Sequence, residues 1–233
     1  MTSCRLPRGS WTKLTDAMTK QEVCARIVEL AIVPAVRAST DEDALFAAEA
    51  VSRGGLPIVE LTMTVPKANE LIAHLVEKHP HMIVGAGTVL DIETARASLA
   101  AGAKFITSPG LDLEVVKFAV QAGVAVIPGV LTPSEIIAAV KAGADFVKIF
   151  PCSQVGGVDY LRALKFPFPK VSFIAAGGVN QQTAEQYLMA GATAVGIGAD
   201  LIPPRAIAIR EADWIEELAR RYVRIVKYVR NPN

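Results

Sequence analysis

Lys148 stands inside the apolar stretch 146–151, Phe-Val-Lys-Ile-Phe-Pro, which predicts a buried strand with one charge at its centre. Burying a lysine costs free energy because an apolar environment disfavours the charged ammonium. Burial therefore favours the neutral amine, which can attack a carbonyl carbon and form a Schiff base. The alternative is a lysine whose stem is buried and whose ammonium reaches water. Lys148 is a candidate nucleophile toward a keto acid.

Two further charges stand on predicted strands, Glu60 within residues 58–63 and Arg37 at the end of residues 31–37. A carboxylate beside the amine could shuttle protons during Schiff-base chemistry. The arginine fork suits a substrate carboxylate better than a lysine does. An ion-paired trio that only fixes strand register is the structural alternative, although buried ion pairs are a weak source of stability.

The elements that must position these charges alternate between apolar strands and helices. The predicted strands are residues 31–37, 58–63, 82–86, 105–107, 125–127, 146–150, 171–176 and 194–198. The predicted helices are residues 20–30, 41–53, 66–78, 91–101, 113–122, 133–142, 160–164, 181–190 and 214–228. Thr19 and Glu22 form the Thr-x-x-Glu pattern of a capping box, which marks the start of the first helix.

An Ala-Gly pair ends four of the predicted helices just before a strand, at Gly102, Gly123, Gly143 and Gly191. Glycine suits these positions because a helix that turns back often ends in a left-handed residue. Eight strand-helix units in one chain predict an α/β fold of the (β/α)₈ TIM-barrel type with an extra N-terminal helix. An open doubly wound sheet is the alternative, but no Gly-x-Gly-x-x-Gly follows the first strand. We expect a flexible tail over residues 1–18 and one domain over residues 19–233.

Composition and charge limit which binding partners and which cellular compartment we expect for this protein. The net charge of +1 gives no field that selects nucleic acid or an anionic membrane. No apolar run reaches the roughly 20 residues that a membrane span needs, and the polar, basic first residues predict no signal peptide. Cys4, Cys24 and Cys152 are scattered, as expected of reduced thiols in a cytoplasm. His74, His79 and His81 fall on the face of the predicted barrel opposite the candidate site, so we expect no metal site there.

Glycine-rich segments follow the last two predicted strands, at residues 176–180 and 196–200. In TIM barrels these two loops frequently bind phosphate through backbone N–H groups. The candidate phosphate-binding residues are Gly177, Gly178, Gly198 and Ala199. The structural alternative is that these glycines only allow tight turns.

Six stretches together resemble the class I 2-keto-3-deoxy-6-phosphogluconate (KDPG) and 4-hydroxy-2-oxoglutarate (KHG) aldolases. They are residues 58–62 (Ile-Val-Glu-Leu-Thr), 84–90 (Val-Gly-Ala-Gly-Thr-Val-Leu), 106–110 (Ile-Thr-Ser-Pro-Gly), 127–129 (Ile-Pro-Gly), 147–151 (Val-Lys-Ile-Phe-Pro) and 177–179 (Gly-Gly-Val). The resemblance implies a homotrimeric barrel without metal or other cofactor. It implies Lys148 as the Schiff-base lysine, Glu60 as general acid and base, and a substrate pocket that includes Thr88, Pro109 and Phe150.

Three positions differ from the pattern of the phosphogluconate-cleaving members. Thr64 replaces an arginine, Ala176 replaces a threonine before the Gly-Gly pair, and Ala199 replaces a serine in the last loop. The loop that begins at Thr64, together with Arg37 on the first strand, resembles the phosphogalactonate-cleaving branch. Thr64 and Arg37 are therefore candidate substrate-binding residues.

Three functions fit the sequence. The first is an aldehyde-lyase that forms or cleaves 2-keto-4-hydroxy acids through a Schiff base, giving pyruvate and an aldehyde. The second is another phosphate-binding barrel enzyme, an isomerase or a synthase of the thiamin phosphate type, in which Glu60 is the base and Lys148 acts only through its charge. The third is a non-catalytic barrel that binds a sugar acid.

Overall fold

A computed structural model describes residues 18–231 of the chain; most of the tail expected over residues 1–18 lies outside this range. The strands are β1 Ile32–Val36, β2 Ile58–Thr62, β3 Ile83–Gly87, β4 Phe105–Thr107, β5 Ala125–Ile127, β6 Gly129–Val130, β7 Val147–Ile149, β8 Phe173–Ala176 and β9 Ala194–Ile197. The helices are α1 Lys20–Leu30, α2 Asp41–Arg53, α3 Ala68–Lys78, α4 Ile92–Ala100, α5 Leu113–Gln121, α6 Pro133–Lys141, α7 Gly157–Lys165, α8 Ala184–Met189, α9 Pro204–Ala208 and α10 Ala212–Arg230. A 3₁₀ turn, Ser153–Val155, precedes α7.

The strands form one parallel sheet in the order β5-β4-β3-β2-β1-β9-β8-β7-β6. Its two edge strands, β5 and β6, are separated in sequence only by Pro128, so they are two halves of one barrel strand. Proline has no backbone N–H to donate to a sheet ladder, which explains the interruption. β5 pairs with β4 and β6 pairs with β7, so the two halves close the barrel. The predicted (β/α)₈ barrel is confirmed.

The register determines which side chains share a level inside the barrel. Glu60 pairs with Gly85 on β3, and the next residue, Ala86, pairs with Ile106 on β4. Gly85 is therefore opposite Phe105 on β4. Because the strands tilt relative to the barrel axis, the β4 residue at the same height as Glu60 lies two positions further along, at Thr107. Repeating this step around β2, β4, β7 and β9 gives one layer of Glu60, Thr107, Lys148 and Gly196. The layer below it on the same strands is Ile58, Phe105, Phe146 and Ala194.

The amino-terminal end of the barrel is closed by α1. Val23 and Ile27 of this helix are fully buried and belong to the same apolar cluster as the lower barrel layer. The predicted capping box is confirmed, because Thr19 accepts from the backbone of Glu22 and the Glu22 carboxylate accepts from the backbone of Thr19. This end is therefore packed with apolar side chains, and the polar layer lies toward the opposite end.

A long amphipathic helix, α10, covers the outside of the barrel. Its buried side is apolar and aromatic, and its arginines are exposed. The helix therefore packs with its apolar side inward and its basic side toward water. No helix within residues 18–231 has both the length and the apolar character needed to cross a membrane.

The structure differs from the predicted elements in a few places. α3 begins at Ala68 instead of Pro66, because Lys67 adopts a left-handed backbone (φ 52°) and serves as the N-cap. α9 was not predicted, since a segment of five residues carries almost no periodic signal. The four glycines predicted to end helices all have left-handed φ values, between 69° and 100°.

Candidate active site

A cavity of about 330 Å³ opens at the carboxyl end of the barrel. It contains eight of the residues predicted from sequence: Arg37, Glu60, Lys148, Phe150, Gly177, Gly178, Gly198 and Ala199. The remaining lining residues are Ala35, Ala176, Val179, Asn180, Gly196 and Asp200. These residues come from the ends of β1, β2, β7, β8 and β9 and from the loops that follow them. This is the face on which TIM barrels carry their active sites.

The cavity exists because glycine and alanine, and not large side chains, occupy several barrel positions above the apolar lower layer. Gly196 occupies the fourth place in the layer of Glu60, Thr107 and Lys148, so this layer holds only three side chains. A Cβ atom at Gly196 would lie 2.9 Å from the Cβ of Ala176, and one at Gly87 would lie 2.2 Å from Glu60 Oε1. A larger residue at either position would force its neighbours to move. The glycines thus provide the space that a bound substrate and the Glu60 side chain need.

Lys148 is buried, with 7% of its surface exposed. Its Nζ donates a hydrogen bond to Thr107 Oγ1 at 3.2 Å and lies 3.8 Å from Glu60 Oε1. The Phe150 ring lies beside the amine, with its centroid 5.6 Å from Nζ. The amine therefore has an apolar wall on one side and two oxygen atoms within reach, at the base of a cavity large enough for a small keto acid.

Glu60 is also buried, with 4% of its surface exposed. Within residues 18–231 its carboxylate has no hydrogen-bond partner, and the 3.8 Å to Lys148 Nζ is longer than a hydrogen bond. No fully enclosed side-chain oxygen or nitrogen in the described part of the chain lacks a partner, so the carboxylate oxygens are reached from the cavity. Glu60 is thus placed to exchange hydrogen bonds, and protons, with a molecule bound there.

Arg37 lies at the rim of the cavity, and its side chain is exposed. A Cβ atom at Gly198 would lie 3.0 Å from Arg37 Nη1, so the glycine leaves room for the guanidinium beside the last loop. Arg37 forms no ion pair with any residue in the range 18–231. Its charge is therefore available to an anionic ligand.

The two glycine-rich loops face the cavity next to Arg37. Gly177 and Gly178 have left-handed φ values of 85° and 84°, and a Cβ at Gly178 would lie 1.9 Å from Ser153 Oγ. Only glycine fits this backbone. The N–H groups of Gly178 and Ala199 donate to no acceptor among residues 18–231. Free N–H groups of this kind suit a phosphate or carboxylate oxygen.

Asp200 also lines this end of the cavity and was not predicted from sequence. Its carboxylate accepts from the Gln181 N–H at 3.2 Å and from the Tyr222 hydroxyl of α10. Burial and the neighbouring Asp200 charge raise the pKa of Tyr222, so this hydroxyl stays protonated. The carboxylate is thus held by two donors, one on α10 and one in the segment that precedes α8. Asp200 ends the predicted segment 196–200, but its contact with Tyr222 could be found only once the fold placed α10 behind the last loop.

Three predicted site residues do not line the main cavity. Thr64 Oγ1 lies 2.7 Å from Thr62 Oγ1, and Thr64 lines an adjoining cavity of about 570 Å³ that shares Arg37. Thr88 has a left-handed backbone (φ 59°) after β3. The Pro109 backbone lies against Gly129, where a Cβ atom would meet its carbonyl oxygen at 2.2 Å. Binding roles for these three residues stay predictions.

Thr107 is the polar neighbour of Lys148 that the sequence reasoning missed. It is 1% exposed, and its hydroxyl accepts the only hydrogen bond that Lys148 Nζ donates within residues 18–231. A hydroxyl at the carboxyl end of a barrel strand was the available signal. Cys152 is fully buried, and burial raises the pKa of its thiol. The described residues include no group of three or more His, Cys, Asp or Glu placed to hold a metal ion.

Comparison with known proteins shows which family the chain resembles. The sequence model of the family described as KDPG and KHG aldolase matches residues 23–218. A 2-dehydro-3-deoxy-phosphogluconate aldolase of Pseudomonas aeruginosa is 36% identical over 194 residues, which is 82% of this chain and 87% of the relative.

Two solved structures share both the fold and part of the sequence. One is a KDPG aldolase from Legionella pneumophila with pyruvate captured at low pH as a covalent carbinolamine intermediate. It has a TM-score of 0.79 and 32% identity, covering 84% of this chain and 96% of that one. The other is a native KDPGal structure with a TM-score of 0.78 and 30% identity, covering 85% of this chain and 95% of that one. The similarity therefore covers most of this chain and nearly all of each relative.

Proposed function

The chain belongs to the KDPG and KHG aldolase family, and on this premise we propose that it is a class I aldolase, an aldehyde-lyase that needs no metal. It cleaves or forms a 2-keto-4-hydroxy acid such as KDPG, 2-keto-3-deoxy-6-phosphogalactonate or KHG, with pyruvate and an aldehyde as the other reactants. The observation that carries the proposal is a buried amine, Lys148, 3.8 Å from a buried carboxylate, Glu60, at the base of the cavity. The Legionella relative, which holds pyruvate as a carbinolamine, supports it.

The first half of cleavage joins the substrate to Lys148. The neutral amine attacks the C2 carbonyl of the keto acid, and the carbonyl oxygen takes a proton to give a carbinolamine. Glu60, in its protonated form, supplies a proton to that hydroxyl, which leaves as water, and an iminium bond forms between C2 and Nζ. The positive iminium then lies beside the Glu60 carboxylate, which stabilises it in a poorly solvated site.

The second half breaks the carbon-carbon bond. The Glu60 carboxylate accepts the proton of the C4 hydroxyl, the C3–C4 bonding electrons move toward the iminium, and the aldehyde leaves. The resulting enamine takes at C3 the proton that Glu60 has just accepted, and water then adds to the iminium to release pyruvate and the free amine. One carboxylate thus acts as acid and as base in turn, as its position near both the amine and the open cavity requires.

The anionic groups of the substrate face Arg37 and the glycine-rich loops. In this proposal Arg37 holds a substrate carboxylate, and Gly177, Gly178, Gly198 and Ala199 receive the far end of the aldehyde, phosphorylated or carboxylated, through backbone N–H groups. Phe150 covers one side of the bound keto acid.

Thr64, Thr88 and Pro109 are proposed to complete the pocket from the side of β2 to β5. In the structure Thr64 lines only the adjoining cavity, which it shares with Arg37. Thr88 and Pro109 follow β3 and β4 at the same end of the barrel.

A substrate screen tests the reaction class. Purified protein is incubated, with a metal chelator, with each of the three 2-keto-4-hydroxy acids named above, and pyruvate is measured with lactate dehydrogenase. We expect chelator-resistant pyruvate release from at least one of them. No pyruvate from any of the three, or turnover that the chelator abolishes and a divalent ion restores, would contradict the proposal.

Replacing Arg37 with alanine is expected to raise KM for the keto acid by about 10- to 100-fold, since a hydrogen bond to a charged group contributes about 1.5–3 kcal/mol. The turnover number changes less, because Arg37 contacts no reacting atom in this proposal. Arg37→Lys keeps the charge but loses the fork, so its KM should fall between the two. Separate KM values for pyruvate and aldehyde in the synthesis direction show which anion Arg37 holds, and unchanged values for both would remove its binding role.

The remaining proposals concern assembly and location. We propose a homotrimer, on the family resemblance and on the apolar surface outside the core, where Phe166 is 90% exposed. A sedimentation mass of one chain would contradict it. We propose a cytoplasmic location, in keeping with the free thiols of Cys24 and Cys152.

A further inference from the structure

We infer that Thr107 is a positioning residue that holds the Lys148 amine through the changes of charge in the reaction; this inference rests on the proposed role of Lys148. The hydroxyl lies 3.2 Å from Lys148 Nζ and is buried. Thr107 is only 1% exposed and is absent from the cavity lining, so we expect its hydroxyl to contact the amine and not the substrate.

The barrel register explains why these two side chains meet. Thr107 on β4 and Lys148 on β7 belong to the same layer, and only the divided strand β5–β6 separates their strands around the barrel. The strand between them contributes Gly129, not a large side chain, at the level above. The two preceding residues of β4, Phe105 and Ile106, are apolar and fully buried. The Thr107 hydroxyl is therefore a polar group on a strand that is otherwise apolar. A buried hydroxyl costs free energy unless it is hydrogen-bonded, and Lys148 is its bonding partner.

A hydroxyl suits this position because it both donates and accepts. Thr107 Oγ1 has no other hydrogen-bond partner within residues 18–231, so its proton is free to follow the state of the amine. It accepts from the charged ammonium, and it can either accept from or donate to the neutral amine. After the Schiff base forms, the iminium nitrogen carries a single N–H, and the hydroxyl is the acceptor on its inner side. That bond fixes the plane of the iminium and leaves the opposite side to the substrate and Glu60.

The two oxygen atoms near Lys148 Nζ therefore have different roles. Glu60 Oε1, at 3.8 Å, is too far for a direct hydrogen bond and is open to the cavity, where it can transfer protons. Thr107 Oγ1, at 3.2 Å, is enclosed and holds the nitrogen in place. Without the hydroxyl, the amine would lose its one directional contact and could turn toward the Glu60 carboxylate, away from the attacking position.

The test compares Thr107→Val, which removes the hydroxyl and keeps the branched shape, with Thr107→Ser, which keeps the hydroxyl. We expect Thr107→Val to lower kcat, and the rate of borohydride-trapped pyruvate adduct formation, by about tenfold, the loss of one hydrogen bond to a charged group. KM should change less than about twofold, because the residue does not touch substrate. Thr107→Ser should recover most of the rate, and thermal unfolding of each variant checks that the fold is kept.

Each result of this comparison either supports or overturns the role proposed for Thr107. A Thr107→Val enzyme with wild-type kcat would overturn the inference, and so would a Thr107→Ser enzyme as slow as Thr107→Val, because a packing role would then explain the loss. The wild-type protein is trapped in parallel. If wild type itself gives no pyruvate adduct on Lys148, the proposed function fails, which is distinguishable from a failure of the Thr107 inference alone.

Discussion

Lys148→Met lowers kcat for aldol cleavage by roughly 10⁴-fold or more, because removal of a covalent nucleophile disables the whole reaction sequence. Methionine has a similar length and no nucleophilic nitrogen, so the loss reports the amine and not the volume of the side chain. The change leaves Glu60 buried without a cation, which can reduce stability. Lys148→Arg is therefore the second variant, since arginine retains the positive charge and stays protonated. Steady-state pyruvate release is the measurement, and we expect both variants to be equally inactive.

Lys165 provides a matched control for this experiment. Burial lowers its pKa, and its Nζ donates to the Val171 carbonyl at 2.9 Å, so it is a second partly buried lysine with the same chemistry available. It lies at the end of α7 and does not line the cavity. Lys165→Met should retain wild-type turnover. If Lys165→Met is inactive and Lys148→Met is active, the nucleophile has been assigned to the wrong lysine.

Glu60→Gln is expected to lower kcat by about 10²- to 10⁴-fold, the usual contribution of a general acid or base. Glutamine has nearly the same shape and can still form hydrogen bonds in the space that Gly87 leaves, but it cannot transfer a proton. The decrease should appear in both cleavage and synthesis, because the same carboxylate acts in each direction. It should also slow formation of the pyruvate adduct, since carbinolamine dehydration needs a proton donor.

Glu60→Asp separates proton transfer from packing. The shorter carboxylate keeps the acid-base group but withdraws it from the amine, so its turnover should fall between wild type and Glu60→Gln. A Glu60→Gln enzyme with wild-type turnover would show that another group moves the protons. Asp200, which lines the same cavity, would then be the next carboxylate to test.

The sequence was sufficient to predict the fold and to single out the two buried charges at the base of the cavity, because both depend on local patterns. Strand and helix periods predicted the eight strand-helix units, and a charge inside an apolar strand identified Lys148 and Glu60. The break at Pro128 was harder to predict, because only the closed barrel shows that β5 and β6 pair with different neighbours. The break does not change the number of barrel strands, because β5 and β6 together make up one of the eight.

The residues that sequence reasoning missed depend on distant contacts. Thr107 and Lys148 are 41 positions apart, and their contact follows from the register across three strands. Asp200 and Tyr222 meet only because α10 folds back over the last barrel loop. No local pattern encodes either pairing. Conversely, Thr64, Thr88 and Pro109 were chosen by family resemblance, and none of them lines the main cavity, because a motif does not determine the path of the loops that carry them.

The central claim is that Lys148 forms a Schiff base with a keto acid, and one measurement tests it most directly. The wild-type protein is incubated with pyruvate and sodium borohydride, its intact mass is measured, and the modified peptide is mapped. We predict one stable reduced pyruvate adduct per chain, located on Lys148 and absent when pyruvate is omitted. Folded protein that gives no adduct at several pH values, or an adduct only on Lys165 or other lysines, would contradict the claim.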